Sequence, residues 1–416
     1  MDTPRFDRRQ ALAGFGAFAG LALFSSRANG AVKFSASPAL RPTGAGRSLV
    51  IVQLSGGNDG LDTVVPYADD VYQRARPTLA RKKSEVLTLD DYRGLHPALV
   101  RLRRHFDAGT FAIVEGAGYP DPIRSHFESM DVWHTADHRG RDAGIGWIGK
   151  LCDAAFKDDH NPNLVVHIGA NVPYSLTSSA HPPVSFINPQ AYRWAGGAAA
   201  TEAYEKAGGM EGHEEGKAKK HEGEKSIDFL RRVLADGQSS SAEVRRAVAR
   251  YATKIEYPND ALAQALHDVA ALVNSDTGTR VLSVELGGFD THTDERPRRD
   301  NLLKQLDAAL GAFVDDLARS EAGKSAVVLV FSEFGRRVHE NGARGTDHGE
   351  AAPMFVLGHQ IKAGLHGKHP SLEQLDDGDV VHTTDFRSVY AAVIERCFTM
   401  QHDKVLGAKY PVLGVV

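Results

Sequence analysis

Short apolar runs and longer amphipathic segments alternate along this chain. The apolar runs predict buried strands of a parallel sheet, which read as continuous hydrophobic stretches when both faces are covered. They lie at residues 48–54, 111–116, 164–168, 281–286, 326–331 and 354–357, and a shorter run at 184–187 predicts an edge strand. Segments with apolar residues at steps of three and four predict helices at residues 96–106, 145–156, 226–234, 241–255, 259–273, 301–317 and 386–398. Strands that alternate with helices predict an α/β fold with a mostly parallel central sheet.

The N-terminus follows a different pattern. Arg8 and Arg9 precede a moderately apolar stretch at residues 11–24, and small residues follow at 28–31, where a signal peptidase could cut. This order is typical of a twin-arginine (Tat) signal peptide, which we assign to residues 1–30. The stretch is too short for a comfortable membrane span, so an uncleaved anchor is the less favoured alternative. The prediction is a periplasmic or extracellular protein with no stable membrane span after signal cleavage.

The rest of the chain divides by composition. Residues 31–46 are rich in Ser, Pro and Gly and predict a linker, and residues 47–416 predict one α/β domain. Within that domain, residues 195–225 form a low-complexity loop without the apolar side chains of a core, and residues 226–275 read as a helical insertion. His213 and His221 lie in the low-complexity loop, where we expect them to be solvated.

Composition narrows the class of function. The chain has 416 residues, of which 42% are hydrophobic, and a net charge of -4, so it has no basic footprint for nucleic acid. Cys152 and Cys397 both lie in apolar, helix-like contexts, which favours two buried thiols over a disulfide. Neither begins the Cys-x-Pro-x-Arg pattern that sulfatases convert to formylglycine, and this disfavours an ordinary sulfatase.

Acidic and imidazole side chains follow several of the predicted strands. Carboxyl ends of parallel strands meet at one edge of a sheet, so we expect these side chains to converge in one cleft. Carboxylate oxygen and imidazole nitrogen are ordinary ligands of divalent metals. The sequence therefore predicts a site for one or two divalent ions (Zn, Mn, Ca or Mg), with the candidate ligands Asp59, Asp290, His292, Glu333, Asp347 and His348.

For two of these candidates, Asp59 and Asp290, a purely structural role is an alternative to metal binding. Asp59 stands in a Gly-rich loop, residues 55–60, whose Asn-Asp-Gly sequence forms turns by itself. The glycine spacing of this loop does not fit a dinucleotide-binding motif. Asp290 could instead cap the helix that follows it, with His292 on the surface.

Ser125 is the candidate nucleophile. It lies in the loop after the strand at 111–116, where either Pro122 or Ser125 could begin a helix. Backbone N–H groups at such a helix start stabilise an anion, although Ser125 could also serve only as the cap. Arg124 and Arg336 could hold an anionic substrate, because guanidinium matches phosphate or sulfate oxygens in a bidentate fashion. Bound metal would make an acidic cleft attractive to such a substrate.

These motifs together resemble a known family. The Arg124-Ser125-His126-Phe127 stretch and the segments at residues 55–59, 287–292, 332–336 and 346–349, with the twin-arginine signal, resemble an uncharacterised Tat-exported bacterial family, domain of unknown function 1501. That family is placed in the alkaline phosphatase and sulfatase superfamily. The resemblance implies a three-layer α/β/α sandwich of the alkaline phosphatase type, with Ser125 at the nucleophile position. It also implies two groups of metal ligands, Asp59 with Glu333 and Asp290 with His292 and His348.

The chain departs from the superfamily at two places. The spacing between Asp290 and His292 is tighter than the superfamily's usual Asp-to-His spacing. Where the superfamily usually has Asp-His after the penultimate core strand, this chain has Ser332-Glu333-Phe334. The expected function is an exported metal-dependent hydrolase of small anionic phosphate esters, with sulfate esters less favoured. The alternative is a non-catalytic envelope protein that retains the fold and binds an exported partner protein. A metal-free hydrolase using Ser125 with His126 is disfavoured, because no Gly-x-Ser-x-Gly elbow is present.

Overall fold

A central sheet organises the protein. The computed structural model describes residues 46–192 and 239–416, and nine strands within them form this sheet. Their bounds in chain order are Leu49–Ser55 (β1), Phe111–Gly118 (β2), Val165–Ile168 (β3), Val184–Phe186 (β4), Val281–Gly287 (β5), Val327–Ser332 (β6), Ala352–Leu357 (β7), Gly364–His366 (β8) and Thr384–Asp385 (β9). The strand order is β8-β2-β7-β6-β1-β5-β3-β4, and β9 pairs with β2.

Most strand pairs are parallel, and the exception matters for the site. β1 runs parallel to both of its neighbours, β5 and β6, in registers that pair Leu49 with Val281 and Val327. β7 runs antiparallel to β6 and β2, so its first residue, Ala352, pairs with Ala117 near the end of β2. The loops that follow β1, β2, β5 and β6 therefore open at the same edge as the loop that precedes β7.

Both faces of the sheet are buried. In β1, Leu49 and Ile51 face one hydrophobic core, while Val50, Val52 and Leu54 face the other. This alternation follows from the two-residue period of a strand, and it explains why the sequence of β1 reads as a continuous apolar run.

Helices cover both faces and give three layers. The core that contains Val50 also contains side chains from the helices Val100–Asp107, Ala261–Val273 and Glu295–Leu317 and from the helical residues 239–250. The core that contains Leu49 includes side chains from the helices His126–Thr135, Trp147–Ala155, Phe386–Phe398 and Asp403–Leu406. The predicted α/β sandwich with a mostly parallel central sheet is confirmed.

Smaller elements complete the described chain. Short helices lie at Gly60–Thr63, Asp70–Ala75 and Glu321–Ser325, and 3-10 turns lie at Lys83–Glu85, Gly140–Ala143 and Tyr174–Leu176. The strands Val64–Val65, Leu87–Thr88 and Gly94–Leu95 form a three-stranded sheet, and Leu375–Asp376 pairs with Asp379–Val380.

The helix after β5 begins earlier than the hydrophobic pattern indicates. The pattern predicts a start at residue 301, but the helix runs from Glu295 to Leu317, and Asp294 rather than Asp290 precedes its first turn. The first turn is invisible to hydrophobic periodicity because its buried residues are charged. Glu295 and Arg299 are 1% and 0% exposed and form an ion pair of 2.7 Å across one turn.

The remaining sequence predictions fall into two groups: those for residues that the structure describes, and those for residues outside the described ranges. Asp385 caps Phe386–Phe398 by accepting a hydrogen bond from the Arg387 N–H, as predicted. Cys152 and Cys397 are buried free thiols, as predicted. Within the described residues, no helix is both long and apolar enough to cross a membrane. The signal peptide, the linker up to residue 45, the low-complexity loop with His213 and His221, and the helix predicted at 226–234 lie outside the described residues.

Candidate functional site

Three imidazoles converge on one carboxylate oxygen at the shared edge of the sheet. Oδ1 of Asp290, in the loop after β5, lies 2.9 Å from His292 Nε2, 3.2 Å from His348 Nε2 and 3.5 Å from His126 Nε2. The Nε2 atoms of His292 and His348 are 3.0 Å apart. These four side chains come from three different loops, and we call them the His3Asp cluster.

The second nitrogen of each imidazole is held by an acceptor. Nδ1 of His348 donates to the carbonyl oxygen of Arg124 at 2.8 Å, and Nδ1 of His126 donates to Glu333 Oε1 at 2.8 Å. Nδ1 of His292 donates to Asp347 Oδ1 at 3.0 Å. Carbonyl and carboxylate oxygens only accept, so the proton of each neutral ring lies on Nδ1. This leaves the three Nε2 lone pairs directed at the cluster, which is the arrangement of metal-binding histidines in general.

The donor set and its spacing fit a divalent cation. Two imidazole lone pairs only 3.0 Å apart, as in His292 and His348, repel unless a proton or a cation lies between them. His126 Nε2 is buried and has no hydrogen-bond partner among the described residues. Ligands about 2.05 Å from a tetrahedral zinc ion lie roughly 3.3 Å from one another. Four of the donor separations lie between 2.9 Å and 3.5 Å, around that value. His126, Asp290 and His348 have ligand atoms that all lie within 4.8 Å of one another, and His292 adjoins this group through its contacts with Asp290 and His348.

The charge state of Asp290 also suits a cation. Burial alone would raise its pKa, but the hydrogen bond from Arg336 and the charge of its guanidinium lower the pKa to about 2. Asp290 is therefore a carboxylate at neutral pH. Its side chain is 48% exposed, so the cluster is accessible from solvent.

Glycine backbone allows the loops to approach each other. Gly56, after β1, has φ of +119°, and a Cβ there would lie 2.4 Å from the Asp290 backbone nitrogen. Gly345, before β7, would bring a Cβ within 2.2 Å of the carbonyl carbon of His292. The Gly56 N–H donates to Glu333 Oε1 at 2.8 Å, which joins the loop after β1 to the loop after β6. The cluster thus depends on close backbone contact between loops from four strands.

Ser125 lies at the N-cap of the helix His126–Thr135, as the sequence predicts. Its side chain does not cap the helix, and among the described residues its hydroxyl has no hydrogen-bond partner. It is half-buried and stands between Arg124, whose carbonyl accepts from His348, and His126 of the cluster. The first backbone N–H groups of this ten-residue helix point out of the helix start, where an anion would be stabilised.

A cavity of about 280 Å³ adjoins the cluster. His126 of the cluster and Glu333, which accepts from His126 Nδ1, both line the cavity. Its other lining residues come from β1, β5, the helix His126–Thr135, the 3-10 turn Gly140–Ala143 and the segment 171–174.

Residues 112–394 match the model of a family described as "Protein of unknown function (DUF1501)". The chain belongs to the DUF1501 family.

Solved structures show a distant likeness to this DUF1501 protein. The crystal structure of Ps i-CgsB in complex with k-i-k-neocarrahexaose has 13% identity and a TM-score of 0.37, over 88% of this chain and 73% of that one. A protein in the alkaline phosphatase superfamily from Vibrio parahaemolyticus has 11% identity and a TM-score of 0.35, over 78% and 62%. BT1596, a 2-O GAG sulfatase, has 8% identity and a TM-score of 0.33, over 88% and 72%. No curated protein matches the sequence.

In this DUF1501 protein, Arg336 connects several loops at the shared edge of the sheet through hydrogen bonds to their backbone carbonyls. Its Nε donates to the Gly57 carbonyl at 2.8 Å and its Nη1 to the Thr346 carbonyl at 2.9 Å. Its Nη2 donates to the carbonyls of Gly56 and Phe289 and to Asp290. The side chain is 1% exposed, so these contacts occupy the guanidinium that the sequence suggested for a substrate anion.

Arg124 is likewise paired within the protein. Its Nη1 lies 2.9 Å from Asp377, and its Nη2 contacts the buried carboxylate of Asp379. Arg337 also contacts both of these carboxylates. Arg124 therefore meets the cluster through its backbone carbonyl, which orients His348.

Three predicted ligands lie outside the donor set. Asp59 is fully buried and forms a two-pronged ion pair with Arg76, at 2.5 Å and 2.9 Å, and it caps the helix Gly60–Thr63. Burial would raise the pKa of Asp59, but Arg76 and Arg299 lower it. Glu333, 2% exposed, orients His126 and also accepts from the Ser332 hydroxyl, and Asp347 orients His292. The structure thus brings Asp290, His292 and His348 together and does not bring Asp59 to them.

His126 is the candidate ligand that sequence reasoning missed. It directly follows Ser125 in a loop after a strand, which is the same signal that selected the other candidates. The sequence gives no indication that Glu333, 207 positions away, accepts from its Nδ1.

A second acidic and imidazole cluster does not offer a comparable site. Asp62, His96 and Asp300 have ligand atoms close together, but Arg81 already lies among them. Arg81 contacts Asp62 at 2.5 Å and Asp300 at 2.6 Å. The guanidinium supplies the positive charge that a metal ion would bring.

Proposed function

We propose that this DUF1501 protein is a metal-dependent hydrolase of phosphate esters, with sulfate esters less favoured. The observation that carries the proposal is the convergence of three imidazole Nε2 atoms and one carboxylate oxygen, the His3Asp cluster. A hydroxyl without a partner, that of Ser125, stands beside the cluster at a helix start. Candidate nucleophile, cation site and anion-stabilising amides thus share one edge of the sheet.

The His3Asp cluster would hold one divalent ion through His126, His292, His348 and Asp290. Three imidazoles with one carboxylate favour zinc over magnesium or calcium, which prefer oxygen ligands. When bound, the ion supplies a Lewis acid that polarises an ester oxygen. A second ion on Asp59 is not part of the proposal, since Arg76 pairs with that carboxylate.

The chain's own residues would perform the remaining tasks. Ser125 Oγ would lose its proton and bond to phosphorus as the bond from phosphorus to the alcohol oxygen breaks and that oxygen takes up a proton. Water would then cleave the phosphoserine, releasing phosphate and returning a proton to Ser125 Oγ. The amides at the start of His126–Thr135 would donate hydrogen bonds to the non-bridging oxygens of the substrate. Glu333 and Asp347 would keep His126 and His292 oriented.

Phosphate is favoured over sulfate by the place of the cysteines. Cys152 and Cys397 are both buried in the core on one face of the sheet, packed among side chains of the helices there. Neither stands in the position of Ser125, where a sulfatase would carry its converted cysteine. Export by the Tat pathway through residues 1–30, with loading of the metal before export, is part of this proposal.

The test is turnover of 4-nitrophenyl phosphate and bis(4-nitrophenyl) phosphate by the full chain purified after native export, with metal content measured by elemental analysis. Ser125→Ala should lower kcat/KM at least about a hundredfold while the metal stays bound. Ser320→Ala is the matched control, because Ser320 is an N-cap serine of another helix. No turnover above the Ser125→Ala background would overturn the proposal. A metal-free, inert protein that copurifies with an exported partner would support the non-catalytic alternative instead.

A further inference from the structure

The cavity beside the His3Asp cluster has a lining of its own that the proposed reaction does not use. We propose that this cavity binds the leaving group of the substrate, and that this group is an uncharged, polyhydroxylated ring, a single sugar unit. The inference rests on the proposed function for the ester bond, but the binding of the ring can be measured without catalysis.

The size of the cavity suits one ring. Its volume of about 280 Å³ lies just below the ~300–1,000 Å³ typical of small-molecule pockets. His126 and Glu333 line the cavity and also belong to or support the cluster, so a group bound there would be adjacent to a phosphoryl group at the cluster. A group bound in the cavity would therefore occupy the position of the alcohol part of the ester.

One wall of the cavity is a chain of hydrogen bonds with a fixed direction. His134 Nε2 donates to Gln53 Oε1 at 2.8 Å, and Gln53 Nε2 donates to the Ser55 hydroxyl at 2.9 Å. The Ser55 hydroxyl then donates to Glu285 Oε1 at 2.5 Å. Each group is thereby held in one orientation. The second hydrogen of the Gln53 amide and the second oxygen of the exposed Glu285 stay available to a ligand.

Other lining residues add further donors and acceptors. Asp131 Oδ1 accepts from Arg141 Nε at 2.8 Å, and Arg141 lies over the ring of Tyr174 at 4.8 Å. In the described part of the chain, the second carboxylate oxygens of Asp131 and Glu285 accept no hydrogen bond. Asn171 presents an exposed amide. A sugar hydroxyl both donates and accepts, so a mixture of acceptors and donors at several points around one ring matches it.

The charge of the lining argues against a nucleotide. Asp131, Glu285 and Glu333 place three carboxylates around the cavity, against the single guanidinium of Arg141. An additional phosphate in the cavity would be repelled by this excess of negative charge, whereas a neutral ring would not.

Phe127 provides an apolar face at the cavity. It directly follows His126 and is 84% exposed, and Val172, another lining residue, is 44% exposed. Large exposed apolar side chains at a pocket are a feature of binding sites. A pyranose has hydroxyl groups around its rim and C–H groups on its faces, so an exposed aromatic ring can pack on it while the carboxylates bind its hydroxyls.

The test is calorimetric titration of the full chain with methyl glucoside, methyl galactoside and methyl mannoside, and with adenosine and uridine. At least one glycoside should bind. Phe127→Ala and Glu285→Gln should each weaken that binding about tenfold, and neither should unfold the protein because both side chains are exposed. Ile187→Ala, at a residue 73% exposed and outside the cavity lining, is the matched control and should bind as the native chain does.

The outcomes separate this inference from the proposed function. Binding of nucleosides but not glycosides, no binding of any probe, or glycoside binding that both variants leave unchanged would each overturn the sugar site. If 4-nitrophenyl phosphate is still hydrolysed in those cases, the proposed function stands and only the leaving-group assignment falls. Glycoside binding that depends on Phe127 and Glu285 in a protein without hydrolase activity would support the cavity and remove the reaction.

Discussion

At the scale of single residues, the partner of each side chain decides its role. Asp59 and Asp290 both follow a strand of the central sheet, and both are carboxylates. Arg76 takes both oxygens of Asp59 inside the protein, whereas Arg336 contacts only Oδ1 of Asp290, which also faces three imidazole nitrogens and remains half exposed. The carboxylate of Asp290 is therefore available to a cation, whereas that of Asp59 is not.

A substitution of Glu333 tests whether the partner of a side chain decides its role. Its Oε1 accepts from His126 Nδ1, so Glu333→Gln replaces a carboxylate acceptor by a neutral amide and weakens the hold on the ring. We expect metal affinity to fall about 10- to 100-fold with little change in fold, measured by titration against a chromophoric chelator. Glu321→Gln, at an exposed glutamate on the helix Glu321–Ser325, is the control. Unchanged metal affinity in Glu333→Gln would mean that His126 does not depend on Glu333 or does not bind the metal.

At the scale of elements, loops that leave parallel strands build the centre, and each must come close to the next. The antiparallel strand β7 contributes because its amino end lies beside the carboxyl ends of β2 and β6. His348 precedes β7 and reaches Asp290, which follows β5. The sequence predicts the positions of these strand ends, but it does not show that β7 is reversed.

The contact between the loops after β1 and β5 gives a prediction at this scale. Gly56→Ala adds a Cβ to a residue with φ of +119°, 2.4 Å from the Asp290 backbone nitrogen. Gly109→Ala is a matched control, because Gly109 has φ of +77° and a Cβ there meets nothing within 4 Å. We expect Gly109→Ala to lower the free energy of unfolding by only about 1 kcal/mol. Gly56→Ala should lower it further and should also weaken metal binding, as measured by urea denaturation and chelator titration.

Equal effects of the two substitutions on stability, with metal affinity unchanged in both, would contradict this account of the loop contact. The comparison is informative because both glycines share the positive φ, and only Gly56 adds the steric clash with the loop that carries Asp290.

At the scale of the whole molecule, the buried histidines make stability depend on pH. Burial lowers the pKa of His134 to about 3 and that of His167 to about 4, because the charged ring is poorly solvated inside the protein. In the unfolded chain both groups have an ordinary pKa near 6.5. Below that pH the unfolded state binds protons that the folded state does not. The free energy of unfolding therefore falls as pH decreases from about 6.5 toward 4.

His134→Gln should make this fall shallower. Each such group contributes up to about 1.4 kcal/mol per pH unit in the window between its two pKa values. Urea denaturation at pH 7, 5.5 and 4.5 measures the slope, and His160→Gln, at an exposed histidine, should leave it as in the native chain. A slope that His134→Gln leaves unaltered would show that His134 gains a proton without unfolding.

The fold and the strand ends could be predicted from the sequence because they depend on local periodicity. Buried parallel strands must be apolar on both faces, and the loops after them must be polar, so β1, β2, β5 and β6 are visible as runs such as Val281–Gly287. The charged first turn of Glu295–Leu317 was not visible, since its buried face is an ion pair.

The sequence by itself determined the α/β class, the strand ends and the residue types that could form a metal site. Only the tertiary structure decided which of those residues lie together as a candidate site. His126 meets Glu333 across 207 positions and His348 meets the Arg124 carbonyl across 224, while Arg76 removes Asp59 from the set. The physical reason is that the direction of a lone pair and the neutralisation of a carboxylate depend on the nearest atoms in space, which hydrophobic periodicity along the chain does not specify.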